Sequence, residues 1–294
     1  MRRLVSLILA AAVIGLAVFW ILTMPKQADE ERLAGITPDL ERGEFVYIAG
    51  GCASCHAGVD GDAEALEGGM ALASPFGTFH APNISPSDAG IGGWTAQDLA
   101  SALWHGTSPE DKHYYPAFPY ASYVRMSAED VVSLHAYLMT LPPSDVASLP
   151  HEIGFPFNIR RLLGGWKLLF LNDDPVLEDP NLTPEEQHGQ YLVEGLSHCG
   201  ECHTPRNALG GMKRSEWLAG APNPAGKGTI PNITPAELDW SEADIAYYLE
   251  TGFTPDYDSV GGHMAHVVDN YGKLAPEDRA AVAAYLKRVP PVAR

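Results

Sequence analysis

The longest apolar run of the chain begins at Leu4 and ends at Met24, and it contains no charged residue. As a helix, this run of about twenty residues would be roughly 30 Å long, which matches the hydrocarbon core of a bilayer. The segment Met1-Arg2-Arg3 before the apolar run is basic, and no small-x-small cleavage site follows the run. We therefore predict an uncleaved membrane anchor and its exit over residues 1–30, with a cleaved signal peptide as the alternative.

After the anchor, apolar positions recur with helical spacing and almost never alternate. Ser127 is placed to cap one of these helices, and Pro276 to begin another. Proline- and glycine-rich loops join the helices, and such long loops are uncommon in a compact domain unless something else fills its middle. We therefore predict an all-α fold in which a bound group completes the core. The predicted helices cover 43–48, 94–103, 128–139, 189–194, 240–249 and 276–289.

Several landmarks recur in the second half of the chain, each roughly 150 positions after its first occurrence. This repetition predicts two tandem copies of one domain, over residues 38–145 and 181–294, with a linker over residues 146–180. The repeated landmarks are Pro82-Asn83-Ile84 with Pro231-Asn232-Ile233, Trp94 with Trp240, and Ala136-Tyr137-Leu138 with Ala284-Tyr285-Leu286.

All four cysteines of the chain fall in two Cys-x-x-Cys-His strings. A zinc site would rarely place its halves so far apart, and zinc gives no reason for a histidine after each pair. The string fits c-type haem, where two thiols add to the vinyl groups and the adjacent imidazole ligates the iron. Reduced thiols or a disulfide in an ordinary domain are the alternative. The residues concerned are Cys52, Cys55 and His56 in the first string and Cys199, Cys202 and His203 in the second.

The formal net charge is -18. This acidity argues against nucleic acid as a partner, and it favours either a basic patch on a protein partner or simple solubility. The densest basic cluster after the anchor is Arg160, Arg161 and Lys167 in the linker. We interpret this stretch as a packed strap between the domains, with a docking surface for a partner or the membrane as the alternative.

An N-terminal helix, Cys-x-x-Cys-His, a methionine-bearing loop and a final helix ending in Ala-Tyr-Leu resemble the class I cytochrome c fold, here duplicated. The stretches YYPAFPYASYVRMSAEDVVSLHAYLMTLPP, FPFNIRRLLGGWKLLF and GGHMAHVV are similar to membrane-anchored multi-haem cytochrome c subunits. Those subunits serve bacterial periplasmic dehydrogenases for alcohols, gluconate and aldehydes. The resemblance covers most of the chain from about Asp39. Such subunits often carry three haem motifs and this chain has two, which leaves the partner open.

The resemblance implies a sixth iron ligand on the face opposite each proximal histidine. For the second haem we expect Met264, because class I cytochromes place this ligand in the loop before the last helix. If Met264 only packs against the haem, His263 or His266 would be the ligand. Met212 follows the haem motif too closely to pass round the ring edge.

The first haem is harder to assign, since the register of the repeats points to Pro116–Phe118 and some relatives have methionine where this chain has Phe118. We choose Met126, which abuts the cap of the last helix of that half. Leu274 occupies the matching place in the second half, which is an argument that Met126 is only core. The other candidates are His113, His105, Met70 and Met139.

The two arginines before the apolar run keep the N-terminus in the cytoplasm, so the haem domains would face the periplasm from a single-pass inner-membrane anchor. We expect an electron carrier with two covalently bound haem c groups and no catalytic residue. It would relay electrons between a dehydrogenase or quinol oxidoreductase and an acceptor such as a terminal oxidase. The alternative is a dihaem enzyme, peroxidase-like or thiosulfate-oxidising, with one open iron position.

Overall fold

The computed structural model describes residues 1–58, 65–224, 226 and 228–293. Helix α1 spans Arg2–Leu22, as the apolar run predicts, and none of its residues is buried. Within the described part of the chain, it is the one helix long and apolar enough to cross a membrane. Its length and composition fit a spanning segment, and an N-terminal signal sequence would share them.

The half of the chain that follows α1 is organised by the crossing of its first and last helices. At this crossing a Cβ added to Gly43 would lie 2.2 Å from the carbonyl oxygen of Ser133, so the two backbones are in direct contact. The helices of this half are α2 Leu40–Ala49, α3 Cys52–His56, α4 Ala96–His105, α5 Tyr120–Tyr123 and α6 Ala128–Leu138; Gly43 lies in α2 and Ser133 in α6.

The second half contains the same kind of crossing. A Cβ on Gly189 would lie 1.9 Å from the carbonyl oxygen of Ala281. The helix that carries Gly189 continues through a π-helical turn over Tyr191–Leu196. The remaining helices are α7 Leu162–Phe170 in the linker, α8 Pro184–Gln190, α9 Gly200–His203, α10 Glu242–Thr251, α11 Met264–Tyr271 and α12 Pro276–Arg288.

Short antiparallel strands occur within the loops, so the fold is mainly helical but not purely so. In the first half, Ala71 pairs with His80 and Ser74 with Gly77. These ladders satisfy backbone groups that an irregular loop would leave unpaired. Strands of two to four residues are too short to show an alternating pattern, which is why the sequence did not reveal them. They are β1 Ala71–Ser74, β2 Gly77–His80, β3 Glu152–Ile153, β4 Ala221–Pro222 and β5 Thr229–Ile230, with sheet orders β1-β2-β3 and β4-β5.

Most helix ends follow from side-chain caps. The Ser127 hydroxyl accepts from the Asp130 amide and begins α6 as predicted, and Pro276 begins α12 as predicted. The predicted starts at Trp94 and Trp240 were two residues too early. Thr95 and Ser241 are the true N-caps, each closing a capping box with an aspartate three residues later.

The two halves are joined by polar contacts that cross between them. The Tyr191 hydroxyl accepts from the Ser127 amide and donates to Asp130, which also binds the guanidinium of Arg42. Asp130 is 2% exposed, so this tyrosine and arginine supply the partners that a buried carboxylate requires. The crossing helix pair of the first half is therefore tied to the start of the second.

The segment between α1 and α2 is packed against α4. The Ala28 amide donates to the Ser101 hydroxyl at 2.9 Å, and the Gln97 amide group donates to the Ala28 carbonyl, also at 2.9 Å. Leu33 is buried, and the guanidinium of Arg32 lies 4.2 Å from the centre of the Trp104 ring. The chain from Ala28 to Arg32 is therefore held against α4.

Candidate haem sites

The first Cys-x-x-Cys-His string forms the single helical turn α3. Gly51 precedes it in the left-handed conformation, with φ 61°, which allows the sharp turn out of α2. On a helical turn, residues three apart lie on the same face, so Cys52 and Cys55 project to one side. Both thiols are unpaired and half-buried, as two adjacent attachment points require.

His56, at the end of this turn, is held by a backbone carbonyl. Its Nδ1 lies 2.8 Å from the Pro82 oxygen. Burial lowers the pKa of His56, and the bond to Pro82 acts in the opposite direction. A neutral ring that donates through Nδ1 leaves Nε2 as the acceptor, and this is the arrangement that orients a metal-ligating imidazole.

The second string repeats this geometry. Cys199 caps the turn α9, and Nδ1 of His203 lies 2.8 Å from the Pro231 oxygen. Burial lowers the pKa of His203, and Pro231 again opposes the shift. His198 takes the left-handed place that Gly51 has in the first half, with φ 41°. Two segments far apart in sequence thus hold a histidine in the same way.

The environment of the thiols disfavours thiolate chemistry. Burial raises the pKa of Cys52 to about 12 and the pKa of Cys199 to about 12. Metal ligation and disulfide exchange both need the thiolate, which low pKa values favour. The described residues also contain no cluster of three or more histidine, cysteine or acidic side chains placed to share a metal ion. Burial therefore favours the protonated thiols of Cys52 and Cys199, which disfavours a redox disulfide-exchange site.

The repeated Pro-Asn-Ile segments fix the two proline carbonyls. Asn83 accepts from the Ser85 amide and donates to the carbonyls of Ser144 and Val146. This asparagine holds its own turn and also ties the Pro82 loop to the chain after α6.

Asn232 does the same in the second half. It accepts from the Thr234 amide and donates to the carbonyl of Val292, beyond α12. Each asparagine therefore fastens one loop to the end of its own half. The proline carbonyl of that loop binds the histidine of the same half.

The candidates for the sixth ligands differ in their surroundings. Met264 begins α11 and is half-buried at the edge of the core. Met126 is 3% exposed within the core, and its carbonyl accepts from Nε1 of Trp104. The Met126 amide donates to the Tyr123 carbonyl, and the Leu274 amide to that of Tyr271, so Met126 and Leu274 occupy equivalent turns.

The alternative ligand His113 has partners at both ring nitrogens. Its Nε2 lies 3.0 Å from the Thr23 carbonyl, and its Nδ1 lies 3.0 Å from Nζ of Lys167. Burial, with Lys167 nearby, lowers the pKa of His113 to about 4. This histidine serves a structural junction and offers no free nitrogen to an iron.

The two attachment turns meet at the interface between the halves. The Tyr123 hydroxyl donates to the Gly50 carbonyl, and its ring lies 5.6 Å from that of His198. Asn270 donates to the Ser54 hydroxyl at 3.1 Å, inside the first string. Sequence analysis missed these contacts, because nothing in the local pattern connects residues so far apart.

Two Cys-x-x-Cys-His turns, each with its histidine oriented by a proline carbonyl, define a c-type cytochrome with two attachment sites. The chain belongs to the cytochrome c family, whose profile matches residues 40–142. It is 60% identical to a protein of Cereibacter sphaeroides described as "Diheme cytochrome c-type", over 99% of this chain and 100% of that protein. It is thus an electron-transfer protein with two covalently bound haem c groups.

More distant relatives are subunits of larger enzymes. The chain is 40% identical to the fructose dehydrogenase cytochrome subunit of Gluconobacter japonicus, over 86% of this chain and 53% of that protein. It is 34% identical to the cytochrome c subunit of the quinone alcohol dehydrogenase of Gluconobacter oxydans, over 97% of this chain and 60% of that protein. The chain therefore spans little more than half the length of these dehydrogenase subunits.

Proposed function

We propose that this dihaem cytochrome relays electrons at the periplasmic face of the inner membrane, from a dehydrogenase or quinol oxidoreductase to a terminal acceptor. The observation that carries the proposal is the repeated bond from Nδ1 of a string histidine to a proline carbonyl, at 2.8 Å in both halves. The names of the dehydrogenase subunits support a dehydrogenase as donor. The protein would act as a carrier, without a substrate site of its own.

The halves at 38–145 and 181–294 are proposed as tandem class I cytochrome c domains. The matching glycine crossings, at Gly43 and at Gly189, support a duplication, as do the matching asparagine ties. In the first domain Cys52 and Cys55 would attach a haem with His56 as proximal and Met126 as distal ligand. In the second, the corresponding set would be Cys199, Cys202, His203 and Met264.

When bound, each haem supplies a one-electron iron couple. The work of the chain is to fix the ligands and shield the ring. Pro82 and Pro231 orient the proximal imidazoles and keep their Nδ1 protonated. Tyr123 joins the two attachment turns, so that the bound groups would lie along a common interface and could exchange electrons.

The anchor is proposed to be α1, retained in the mature protein. Intact mass of the protein extracted from membranes tests this together with haem attachment. We expect the full chain from its first residues plus two haems. A mass that lacks residues 1–24 would overturn the anchor, and a mass without added haem would overturn the attachment sites.

Paired substitutions test which thiols carry which haem. Cys52→Ala with Cys55→Ala should lower the haem content from two per chain to one, and Cys199→Ala with Cys202→Ala should remove the other. An unchanged content in either pair would contradict the assignment.

Carbon monoxide separates the carrier from a dihaem enzyme. If both irons have two protein ligands, the ferrous protein should react slowly at both haems at neutral pH. Rapid binding at one haem would show an open position and favour the enzyme.

Affinity capture from solubilised membranes, compared with a strain lacking the cytochrome, would identify the donor; recovery of a dehydrogenase subunit is expected.

A further inference from the structure

Helix α7 of the linker lies across the last turn of α1. A Cβ on Gly164 would lie 2.5 Å from the Thr23 carbonyl oxygen, and one on Gly165 would lie 3.2 Å from the Phe19 ring. Two consecutive glycines thus allow α7 to contact the end of α1 directly. A larger residue at position 164 would push the helices apart.

Polar contacts fasten this crossing. The Arg161 guanidinium stacks 4.2 Å from the centre of the Trp20 ring and donates to the Trp20 carbonyl. Lys167 donates to His113, whose other nitrogen donates to the Thr23 carbonyl. Helix α7 therefore has a fixed place at the level where α1 ends.

This segment also carries several exposed apolar side chains. Phe155 is 81% exposed and Leu169 is 68% exposed. A cluster of exposed apolar side chains in one short segment is typical of a contact with a membrane or with another protein. The exposed apolar side chains from the end of β3 to the end of α7 are Phe155, Phe157, Ile159, Leu162, Leu168 and Leu169.

The local charge differs from that of the whole chain. Residues 154–171 contain three cationic side chains, Arg160, Arg161 and Lys167, and no acidic one, whereas the whole chain has a net charge of -18. Anionic lipid headgroups would be repelled by most of the surface but not by this segment. The lack of acidic residues and the apolar exposure therefore coincide in the same segment.

We propose that the segment 155–170 is a second membrane contact, with α7 lying in the headgroup layer of the leaflet from which α1 emerges. The inference rests on the proposed retention of α1 in the membrane. The contact between the two helices supports it, because α7 crosses α1 within its last helical turn, which is about 5 Å of rise. Interfacial helices lie at a similar depth, about 5–10 Å into the boundary between headgroups and acyl chains. The lipid would cover the exposed leucines and phenylalanines.

Spin labels test the depth of α7 in the full holoprotein. Thioether attachment would consume all four native cysteines, so one added cysteine would be the single free thiol of the chain. We would label Leu162→Cys and Leu169→Cys in nanodiscs of phosphatidylethanolamine and phosphatidylglycerol. Tyr257→Cys, at a position 86% exposed in the second half, is the aqueous control, and Leu9→Cys in α1 is the membrane control.

For each spin label we would measure the collision rate with oxygen and the collision rate with a water-soluble nickel chelate. We expect the ratio of the first rate to the second to be several-fold higher for labels at positions 162 and 169 than for the label at position 257. Values at 162 and 169 equal to the value at 257, with 9 embedded, would overturn the second contact while leaving the anchor in place. That outcome would assign the apolar face to a protein partner. Loss of the label at 9 from the mature chain would instead refute the anchor.

Discussion

Gly189 in α8 lies so close to Ala281 in α12 that an added Cβ would come within 1.9 Å of the Ala281 carbonyl oxygen. The contact is backbone to backbone, so neither side can move away as a flexible side chain would. The helices that begin and end the second half depend on a residue without a side chain at this point.

Gly189→Ala should therefore destabilise the second half. Overpacking of this kind costs about 3 kcal/mol, the upper part of the usual range, because backbone must shift. Chemical denaturation of the holoprotein, followed by the Soret band and by far-ultraviolet dichroism, would measure the loss. Gly93→Ala is the matched control, since a Cβ there meets nothing within 4 Å. Equal stability of the two variants would contradict the interpretation.

The absorption spectrum of the oxidised protein can distinguish a methionine that ligates iron from one that only packs in the core. Met264→Ala and Met126→Ala should each remove part of the methionine-to-iron charge-transfer band of the oxidised protein and lower one reduction potential, since a thioether raises it. Met212→Ala, a half-buried methionine outside the proposed ligand set, should change neither. If Met126→Ala keeps the spectrum and only loses about 2–5 kcal/mol of stability, Met126 is a core residue, as Leu274 is in the second half.

Each of the two asparagines should affect only the histidine of its own half. Asn83→Ala removes the donor to the Val146 carbonyl and one donor to the Ser144 carbonyl, which keeps the Ser87 hydroxyl. We expect a loss of about 1–3 kcal/mol together with a shift in the potential of the first haem. Asn232→Ala should shift the second haem instead. Exposed Asn181→Ala is the control. Potentiometric titration that shows both haems shifted equally by either variant would contradict a local role.

The junction at His113 should weaken in acid. The pKa of His113 is lowered from 6.5 to about 4 in the folded protein. As the pH falls, this histidine therefore becomes protonated in the unfolded chain before it does so in the folded protein. The contribution of His113 is complete above pH 6.5 and is lost as the pH falls toward 4. In detergent, the thermal midpoint of the wild type should fall over this interval more steeply than that of His113→Gln. Parallel curves would show that His113 does not titrate in this way.

The attachment turns were predictable because their chemistry is encoded by neighbouring residues. The cysteines and the histidine of each string lie within five positions, and a single turn brings them together. The repeated Pro-Asn-Ile segments were also visible in the sequence. That the Pro82 carbonyl would bind His56 did not follow, since it depends on a loop closure of 26 residues.

Contacts between the halves could not be predicted from local pattern. Tyr123 and His198 are brought together by docking, and neither has a sequence signal that points to the other. His113 looked like a ligand because its partners, Thr23 and Lys167, lie far away in the chain. The sequence of the linker indicated a packed segment between the domains but not helix α7. The two consecutive glycines of α7 weaken a helical pattern.

The packing of residues 28–32 onto α4 limits how far the redox groups can move relative to α1. Ala28 and Arg32 are held by Ser101 and Trp104, so the stretch that leaves α1 cannot act as a long swinging arm. With α1 retained in the bilayer as proposed, the carrier would stay at one height above the membrane and reach its partners by lateral diffusion. The surfaces that give and take its electrons must therefore come within reach of that height.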